Sequence, residues 1–316
     1  METLIQKRRE IPMRNTRRGI IGAMLLALAL VAAACSSGDD SGTREGTAIV
    51  IGSANFGESS LLAEIYAQAL EDDGFTVERK FNTGSREIYA LALESGEIHL
   101  VPEYVGSALA FKGGTPTADS AATADDLRSV WAQDGISVLD PAPAQDKNGF
   151  VVTSATAADL GVEKVSDLAA LNGTLILGGP PECPEREFCL PGLESVYGLS
   201  FAEFKPLDVG GPLTVAALEG DEIQLGLLFT TDGVIASKGF VLLEDDKGLQ
   251  PAENVVPALR TDIAEEYGGN IERVLNAVSA KLTTADLTEM NKLTGYDGDD
   301  PVQVAADWLK SVGIIG

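Results

Sequence analysis

The sequence of 316 residues contains a single histidine, His99, and this scarcity limits the chemistry that the chain can perform. A Ser-His-Asp arrangement would have to use His99, and a cluster of imidazole ligands for a transition metal is excluded. His99 falls in a predicted strand, where a structural imidazole is a simpler interpretation than a catalytic base. A glycine-rich phosphate loop ending in lysine is also missing. We therefore expect no cofactor, and an exported enzyme stays only as an alternative.

Basic residues are about half as frequent as acidic ones, with 23 Lys and Arg against 48 Asp and Glu and a net charge of −25. Six basic residues fall within residues 1–18, so the chain after residue 34 has 17 basic and 46 acidic side chains and a net charge of −29. Such a surface repels nucleic acid and anionic lipid headgroups, and it attracts cations. A solvated acidic surface is nevertheless the simpler explanation for most of these carboxylates.

Long hydrophobic runs are missing after residue 34, and the one run before it is short for a membrane span. A basic segment precedes uncharged residues from Gly19 to Ala34, as in a secretory signal. The run ends in Ala32-Ala33-Ala34-Cys35, which resembles a bacterial lipobox. We therefore predict a lipoprotein signal peptide over 1–34, lipidation of Cys35, anchoring to the cell membrane from outside the cytoplasm, and a flexible tether over 35–46.

Two alternatives stay open at the N-terminus. An ordinary signal peptide, or an anchor helix with an incidental cysteine, fits the same residues. The segment Thr16-Arg17-Arg18-Gly19 resembles a twin-arginine signal, although the arginines also fit plain basic charge, so the export route is undecided.

Cysteine is rare as well, since only Cys183 and Cys189 accompany Cys35. An even pair in an exported chain predicts a disulfide that braces a small loop. Two zinc ligands are the alternative, but they would need partners, and His99 lies far away in the sequence.

Short apolar runs alternate with amphipathic segments in the rest of the chain. Strands are predicted over 48–52, 75–81 and 98–101, with helices over 58–72 and 85–94 between them. This βαβαβ order with short loops predicts an α/β open sheet. The pattern recurs in the middle of the chain, and the last part reads as helical. The further predicted strands are 151–153, 174–177, 223–228 and 240–243, and the further predicted helices are 193–197, 212–218, 261–267, 271–281, 284–294 and 301–312.

A weak internal repeat relates two parts of the chain. Residues 92–100 (ALESGEIHL) match residues 217–225 (ALEGDEIQL) at a constant offset of 125. The same offset places Tyr104 opposite Phe229, each at the carboxyl end of a predicted strand, where open α/β sheets bind ligands. The repeat predicts two related lobes with a cleft between them. The alternative is a chance similarity, because the order of helix end, turn and strand is common.

Several blocks resemble the glycine betaine, choline and carnitine-type substrate-binding proteins of ABC importers. Gly52-Ser53-Ala54-Asn55-Phe56-Gly57-Glu58 is similar to the family's GSKNFTE turn, and residues 95–108 are similar to its SGEIDLYPEYTGTA block. Thr230-Thr231-Asp232-Gly233 resembles STDG, and residues 242–248 resemble VLEDDKG. The blocks keep the family's order over most of the chain.

The resemblance implies a two-lobed periplasmic-binding-protein-like (type II) α/β fold with two interlobe crossings. The crossings are then expected near Pro141–Val152 and Pro251–Arg260. Lobe one would comprise 47–145 and 255–316, and lobe two 146–254. The implied partners are a small quaternary amine or compatible solute and an ABC permease in the membrane. A binding protein of this fold for a less cationic or non-quaternary solute is the alternative.

The resemblance also implies candidate ligand-binding residues. Tyr104 matches the family's cage tyrosine, and Tyr197 resembles another; packing is an equal alternative for the further aromatic residues. Two departures loosen the ligand assignment: Val101 stands where the family has a tyrosine, and Gly149 replaces a cage tyrosine unless Phe150 substitutes for it. Polar candidates lie at strand-end turns, where helix capping is the alternative for three of them. The remaining candidates are the aromatic Phe56 and Phe229 and the polar Ser53, Asn55, Thr231 and Asp232.

Overall fold

The structure, a computed structural model, describes residues 44–316. It contains two five-stranded sheets with helices packed on their faces. The predicted signal peptide, Cys35 and residues 35–43 of the predicted tether lie outside the described residues. Among the described residues, no helix is both long and apolar enough to cross a membrane.

The first sheet has the strand order β2-β1-β3-β10-β4. Strand β1 pairs in parallel with β2 and β3, whereas β10 runs antiparallel to β3 and β4. Its strands are β1 (Ile49–Ala54), β2 (Val77–Gly84), β3 (Leu100–Tyr104), β4 (Ile136–Val138) and β10 (Val255–Arg260).

The second sheet repeats this arrangement with the order β7-β6-β8-β5-β9. Strand β6 pairs in parallel with β7 and β8, and β5 runs antiparallel to β8 and β9. Strand β8 is displaced from β3 by 125 residues at both ends, so the repeated segment occupies the same place in both sheets. Its strands are β5 (Asn148–Thr153), β6 (Ile176–Gly179), β7 (Glu203–Pro206), β8 (Leu225–Phe229) and β9 (Phe240–Leu242).

Twelve α-helices cover the two sheets within the described residues, and several begin and end at residues whose chemistry explains the boundary. Asp119, Thr283 and Asp300 each accept a backbone N–H as N-cap residues. The second helix ends at Gly96, whose φ of 80° lies in the left-handed region that glycine adopts without a Cβ clash. The helices are α1 (Gly57–Asp72), α2 (Arg86–Ser95), α3 (Val105–Phe111), α4 (Ser120–Trp131), α5 (Ser154–Leu160), α6 (Leu190–Tyr197), α7 (Pro212–Glu219), α8 (Gly233–Lys238), α9 (Thr261–Glu266), α10 (Asn270–Ser279), α11 (Thr284–Lys292) and α12 (Pro301–Ser311).

Each sheet is buried on both faces, so the molecule has two pairs of hydrophobic clusters. On one face of the first sheet, Leu61, Leu62 and Ile65 of α1 pack with residues of α10, α11 and α12. The opposite face packs against α2, α3 and α4, with Trp131 fully buried. The second sheet has its own two clusters. Because the central strands of these mixed sheets are covered on both faces, they form continuous apolar runs.

Two extended segments join the lobes, and they are hydrogen-bonded to each other. Gln145 and Asn254 form an antiparallel bridge. On either side of it, the N–H of Asp146 donates to the carbonyl of Glu253 at 3.1 Å, and the N–H of Val255 donates to the carbonyl of Ala144 at 3.0 Å. Immediately beyond this ribbon, the chain enters β5 on one side and β10 on the other.

The predicted disulfide is present between Cys183 and Cys189, and it closes a loop at the start of α6. Both sulfur-bearing side chains are buried against the core of the second lobe. The alternative of two isolated zinc ligands is therefore wrong for this pair.

Candidate functional site

A cavity of about 440 Å³ lies between the two lobes. Its walls include the ends of β1, β3 and β8, with the first turn of α2 and the disulfide loop at its sides. Parallel strands present their carboxyl ends, and the turns that follow them, at one edge of a sheet. The fold therefore places this cavity where ligands bind in open α/β sheets.

Three aromatic rings form a row along the cavity wall, and they come from both lobes. Phe56 is half-buried and stands between the other two rings, with its centroid 6.3 Å from that of Tyr104 and 5.2 Å from that of Phe229. Tyr104 is the last residue of β3, and Phe229 is the last residue of β8. The exposed Asn55 lines the same cavity. Four residues selected from the sequence are thus brought together.

Three further aromatic residues line the cavity, and sequence reasoning missed them. Tyr89 faces it from α2, Phe111 from the end of α3, and Phe188 from the disulfide loop. None falls in a block that resembles the family, although Tyr89 and Phe111 lie on helices adjoining such blocks. Tyr89 and Phe111 could have been found from their positions on helices that adjoin a strand end. Phe188 lies in the disulfide loop, where the sequence carries no such signal.

A buried carboxylate, Glu58, ties the aromatic row to both lobes. One oxygen accepts the hydroxyl of Tyr104 at 2.6 Å, and the other accepts the hydroxyl of Thr231 at 2.6 Å and the amide of Asn291 at 2.5 Å. Burial raises the pKa of Glu58 above its ordinary value, while the three donors oppose that rise. Glu58 thus orients the Tyr104 ring and bridges α1 of the first lobe to the turn after β8.

Two further buried carboxyl groups lie beside this bridge. Asp146, in the ribbon, accepts the N–H of Thr231 and the hydroxyl of Thr230, each at 3.2 Å. Burial, reinforced by the nearby Glu58, raises the pKa of Asp146 well above its usual range. Burial also raises the pKa of Asp232 to about 7, although its carboxylate accepts the N–H of Phe229. This turn therefore places carboxyl groups with raised pKa values next to the row of rings, where a cation would favour their ionised form.

A buried ion pair of the first lobe and a lone carboxyl group of the ribbon form another side of the cavity. Arg86 donates to both oxygens of the fully buried Glu103, at 3.0 and 2.9 Å, and Tyr89 donates to the same carboxylate at 2.8 Å. Glu253, in the ribbon, accepts the N–H and hydroxyl of Ser107 at 3.0 and 2.6 Å. Burial raises the pKa of Glu253 to about 7.

A salt bridge crosses the cavity from one lobe to the other. Arg186 of the disulfide loop lies 2.8 Å from a carboxylate oxygen of Glu87, on the first turn of α2. The pair is partly exposed, so it contributes little stability by itself. The salt bridge nevertheless connects the two lobes at the cavity that contains the aromatic row.

The structure does not bring the other predicted residues to the cavity. Phe150 is 2% exposed and packs in the core of the second lobe, and Tyr197 packs in the same core with its hydroxyl donating to Asp245. Ser53 is buried and accepts the N–H of Asn82 at 2.8 Å. Thr231 is engaged with Glu58, and Asp232 satisfies the N–H of Phe229. Aromatic and polar residue types alone do not tell a cavity wall from a core.

Position 149 offers no ring either. Gly149 is buried in β5, and a Cβ there would lie 2.7 Å from the side chain of Leu242. Gly149 therefore cannot supply the aromatic ring that the family resemblance implies here, and the buried Phe150 does not replace it.

Other chemistry finds little support among the described residues. No group of three or more His, Cys, Asp or Glu side chains there is arranged to hold a metal ion. The Nδ1 of His99 accepts the N–H of Val50 in β1 at 3.2 Å, so this ring nitrogen has a structural hydrogen bond to a strand.

Comparison with known proteins gives a consistent result. The profile of the family described as the substrate binding domain of ABC-type glycine betaine transport system matches residues 47–311. The glycine betaine-binding protein YehZ of Escherichia coli (strain K12) is 28% identical over 284 residues, which cover 84% of this chain and 90% of that protein. The carnitine transport binding protein OpuCC of Listeria monocytogenes is 25% identical over 304 residues, which cover 92% of this chain and 95% of that one.

Solved structures agree on the fold. The crystal structure of a glycine betaine/carnitine/choline ABC transporter protein superposes with a TM-score of 0.67 at 23% identity, covering 84% of this chain and 99% of that chain. The predicted two-lobed α/β fold of the periplasmic-binding-protein type is thereby confirmed.

Proposed function

The chain belongs to the family of substrate-binding domains of ABC-type glycine betaine transport systems, and we propose that it captures a quaternary amine or compatible solute between its lobes. Glycine betaine, choline and carnitine are the ligands that the names of its relatives suggest. The protein would work outside the cytoplasm and deliver its ligand to the permease of an importer. The observation that carries the proposal is the row of three aromatic rings at the interlobe cavity.

The chemistry of a quaternary ammonium group explains why aromatic rings suit it. The group has no N–H to donate, so hydrogen bonds cannot recognise it. Aromatic faces attract its dispersed charge by about 0.5–2 kcal/mol each. Tyr104 and Phe56 come from one lobe and Phe229 from the other, so closing the lobes around a ligand completes the contact. The buried carboxyl groups beside the row can ionise when a cation binds, because a nearby positive charge favours their charged form.

The lobes would move about the ribbon when ligand binds. We propose lobe one as 47–145 with 255–316 and lobe two as 146–254, which places the boundary between the lobes within the ribbon. Hinge rotation of two such lobes is a common mode of closure around small ligands. The bridge from Glu58 to Thr231 and the pair of Arg186 with Glu87 would both form on closing.

Anchoring by lipid at Cys35 is part of the proposal. The lipobox-like residues 32–35 and the small polar residues after them support it, since such a tether would keep the binding lobes near the permease. Mass spectrometry of the protein from membranes, with Cys35→Ala as the comparison, tests it: a diacylated N-terminal cysteine is expected in the unmodified sequence only.

Calorimetric titration with glycine betaine, choline, carnitine and proline tests the binding function. We expect a dissociation constant in the micromolar range for at least one quaternary amine, equivalent to about −8 kcal/mol. Proline, added as a solute with N–H groups, tests the alternative of a non-quaternary ligand. Assays for turnover of these compounds test the alternative of an enzyme, because a binding protein returns its ligand unchanged.

Substitution at Tyr104 tests the role of the aromatic row. Tyr104→Ala removes a ring face and should weaken binding by about tenfold or more. Tyr104→Phe keeps the face but removes a donor from Glu58, so a smaller loss is expected. Tyr296, which is 45% exposed and does not line the cavity, provides the matched control through Tyr296→Ala. Equal losses for Tyr104→Ala and Tyr104→Phe would contradict a role for the ring.

A further inference from the structure

The charges on the cavity wall favour one kind of ligand over another, provided that the proposed function is correct. Six acidic side chains line the cavity, and the only basic ones lining it in the described chain are two arginines. A cavity with this excess of carboxylates favours a cation by its field alone. The acidic side chains are Glu87, Asp146, Glu182, Glu185, Glu187 and Glu253, and the basic ones are Arg86 and Arg186.

Both arginines already have carboxylate partners. Arg86 is bidentate on Glu103, at 3.0 and 2.9 Å, in a pair that is almost wholly buried. Arg186 is paired with Glu87 at 2.8 Å. A ligand carboxylate would therefore have to compete with an existing ion pair to reach either guanidinium, and it would approach the remaining acidic groups at the same time.

Within the described chain, Glu253 is a buried carboxyl group of this wall that has no charged partner, as is Asp146 on the other segment of the ribbon. Glu253 is 3% exposed, it accepts two hydrogen bonds from Ser107, and no ion pair among residues 44–316 includes it. Burying a carboxylate without a counter-charge is costly, so such groups are usually paired or protonated. A cation in the cavity would supply the missing partner.

We propose that this cleft selects an organic cation that carries no carboxylate, and that Glu253 is the counter-charge that sets this preference. Choline is the simplest probe of the class, and glycine betaine is its zwitterionic counterpart. Both offer a trimethylammonium group to the aromatic row. Choline adds a hydroxyl that donates a hydrogen bond to a carboxylate, whereas betaine adds a carboxylate whose negative charge is repelled by the acidic side chains of the wall.

The proposal has a pH dependence whose sign follows from linkage. The groups that act on Glu253 are Ser107 of α3, Arg86 of α2 and Glu103 of β3, and Arg86 is ion-paired with Glu103. Burial raises the pKa of Glu253 to about 7, and a bound cation favours its ionised form. Choline binding should therefore release a proton near neutral pH, and its affinity should rise between pH 6 and pH 8.

The test is calorimetric titration of the whole protein with choline and with glycine betaine at pH 6 and pH 8, in two buffers of different ionisation enthalpy. We expect choline to bind about tenfold more tightly than betaine at pH 8, in line with one charge–charge contact of moderate strength. Proton release should accompany choline more than betaine. The proton count is measured on the unaltered protein, so it does not depend on any variant folding.

Variants then assign the effect to one side chain. Glu253→Gln should reduce choline affinity about tenfold, leave betaine within about threefold, and remove the proton release. Glu253→Asp, which keeps the charge, should restore part of the choline preference. Glu203→Gln removes the same charge at an exposed position on β7, away from the cavity, and should change neither ligand.

The outcomes separate this inference from the proposed function. If no quaternary amine binds the unaltered protein, the proposed function is wrong and the inference with it. If betaine binds as tightly as choline or more tightly, the function stands and the inference is overturned. Equal losses of both ligands in Glu253→Gln would also overturn it, because Glu253 would then be structural rather than selective.

Discussion

The two lobes have the same strand order but use it for different chemistry. In both sheets a repeated segment forms the strand next to the antiparallel one, β3 in the first sheet and β8 in the second. At the offset of 125, the buried Glu103 corresponds to Leu228, and both side chains are 0% exposed. The same place in the fold thus holds an ion pair in one lobe and an apolar contact in the other.

The contrast extends to how each lobe is stabilised. Long helices cover the first sheet, including α1 with 16 residues and α4 with 12. The helices on the second sheet have six to eight residues, and a disulfide closes the loop before α6. The first lobe supplies Glu58, Arg86 and two of the three rings, whereas the second supplies Phe229 and a cross-linked loop. The first lobe thus supplies most of the aromatic row, whereas most of the acidic side chains that line the cavity come from the second lobe.

The largest loss of stability is expected from a substitution that makes the first lobe resemble the second at one position. Glu103→Leu copies Leu228 but leaves Arg86 buried without its partner, which should cost about 3–5 kcal/mol of unfolding free energy. Urea unfolding measures it. The double variant Arg86→Met with Glu103→Leu should recover much of that stability, because it removes both charges together.

The matched control for this prediction lies in the second lobe. Glu222 forms an exposed ion pair with Lys205, and Glu222→Gln should cost less than about 1 kcal/mol. Similar losses for Glu222→Gln and Glu103→Leu would show that the lobes do not differ as described.

Opening the disulfide should have the next largest effect, and it should act on the second lobe. Replacing Cys183 and Cys189 by serine removes the cross-link of a short loop, with an expected loss of about 2 kcal/mol. Thermal unfolding with and without reductant measures it. Reductant should lower the stability of the original protein and leave the serine variant unchanged; a reductant-sensitive serine variant would contradict this explanation.

Removing the polar contact between the lobes should have the smallest effect of the three. Thr231→Val deletes one of three donors to the buried Glu58, with an expected loss of about 1–2 kcal/mol. Because Thr231 lies in one lobe and Glu58 in the other, part of this loss should appear as weaker ligand binding in calorimetry. Thr288→Val, on the exposed side of α11, is the control and should change neither quantity. Unchanged ligand affinity in Thr231→Val would place this contact outside the closing motion.

Much of the fold could be predicted because its strands are continuous apolar runs and its helices have clear apolar faces. The predicted helix 58–72 is α1, and the repeat correctly placed Tyr104 and Phe229 at two strand ends. Several of the elements that were missed, such as α3, β4 and β7, are only three to seven residues long, although α4, with 12 residues, was missed as well. Short elements owe their conformation to neighbours distant in the sequence, which a local pattern does not contain.

The candidate site was harder to predict for a related reason. Tyr104 and Tyr197 both resemble cage tyrosines of the family, yet Tyr104 lines the cavity and Tyr197 packs in the core of the second lobe. Glu58 reads as an ordinary acidic residue in a first helical turn, and its three donors come from segments up to 233 residues away. Glu253 lies in a segment predicted only to be extended. Burial of a charge depends on the tertiary fold, so the sequence gives no warning of it.

The hydrogen-bonded ribbon between the lobes carries an implication of its own. Because the N–H of Asp146 donates to the carbonyl of Glu253, the two strands cannot slide past each other without breaking that contact. The acidic side chains of these two residues both reach the cavity. Any flexing at this joint therefore shifts two carboxyl groups at the same moment as it changes the gap between the aromatic faces. Electrostatic tuning and mechanical closure are in this way linked by a single pair of backbone segments.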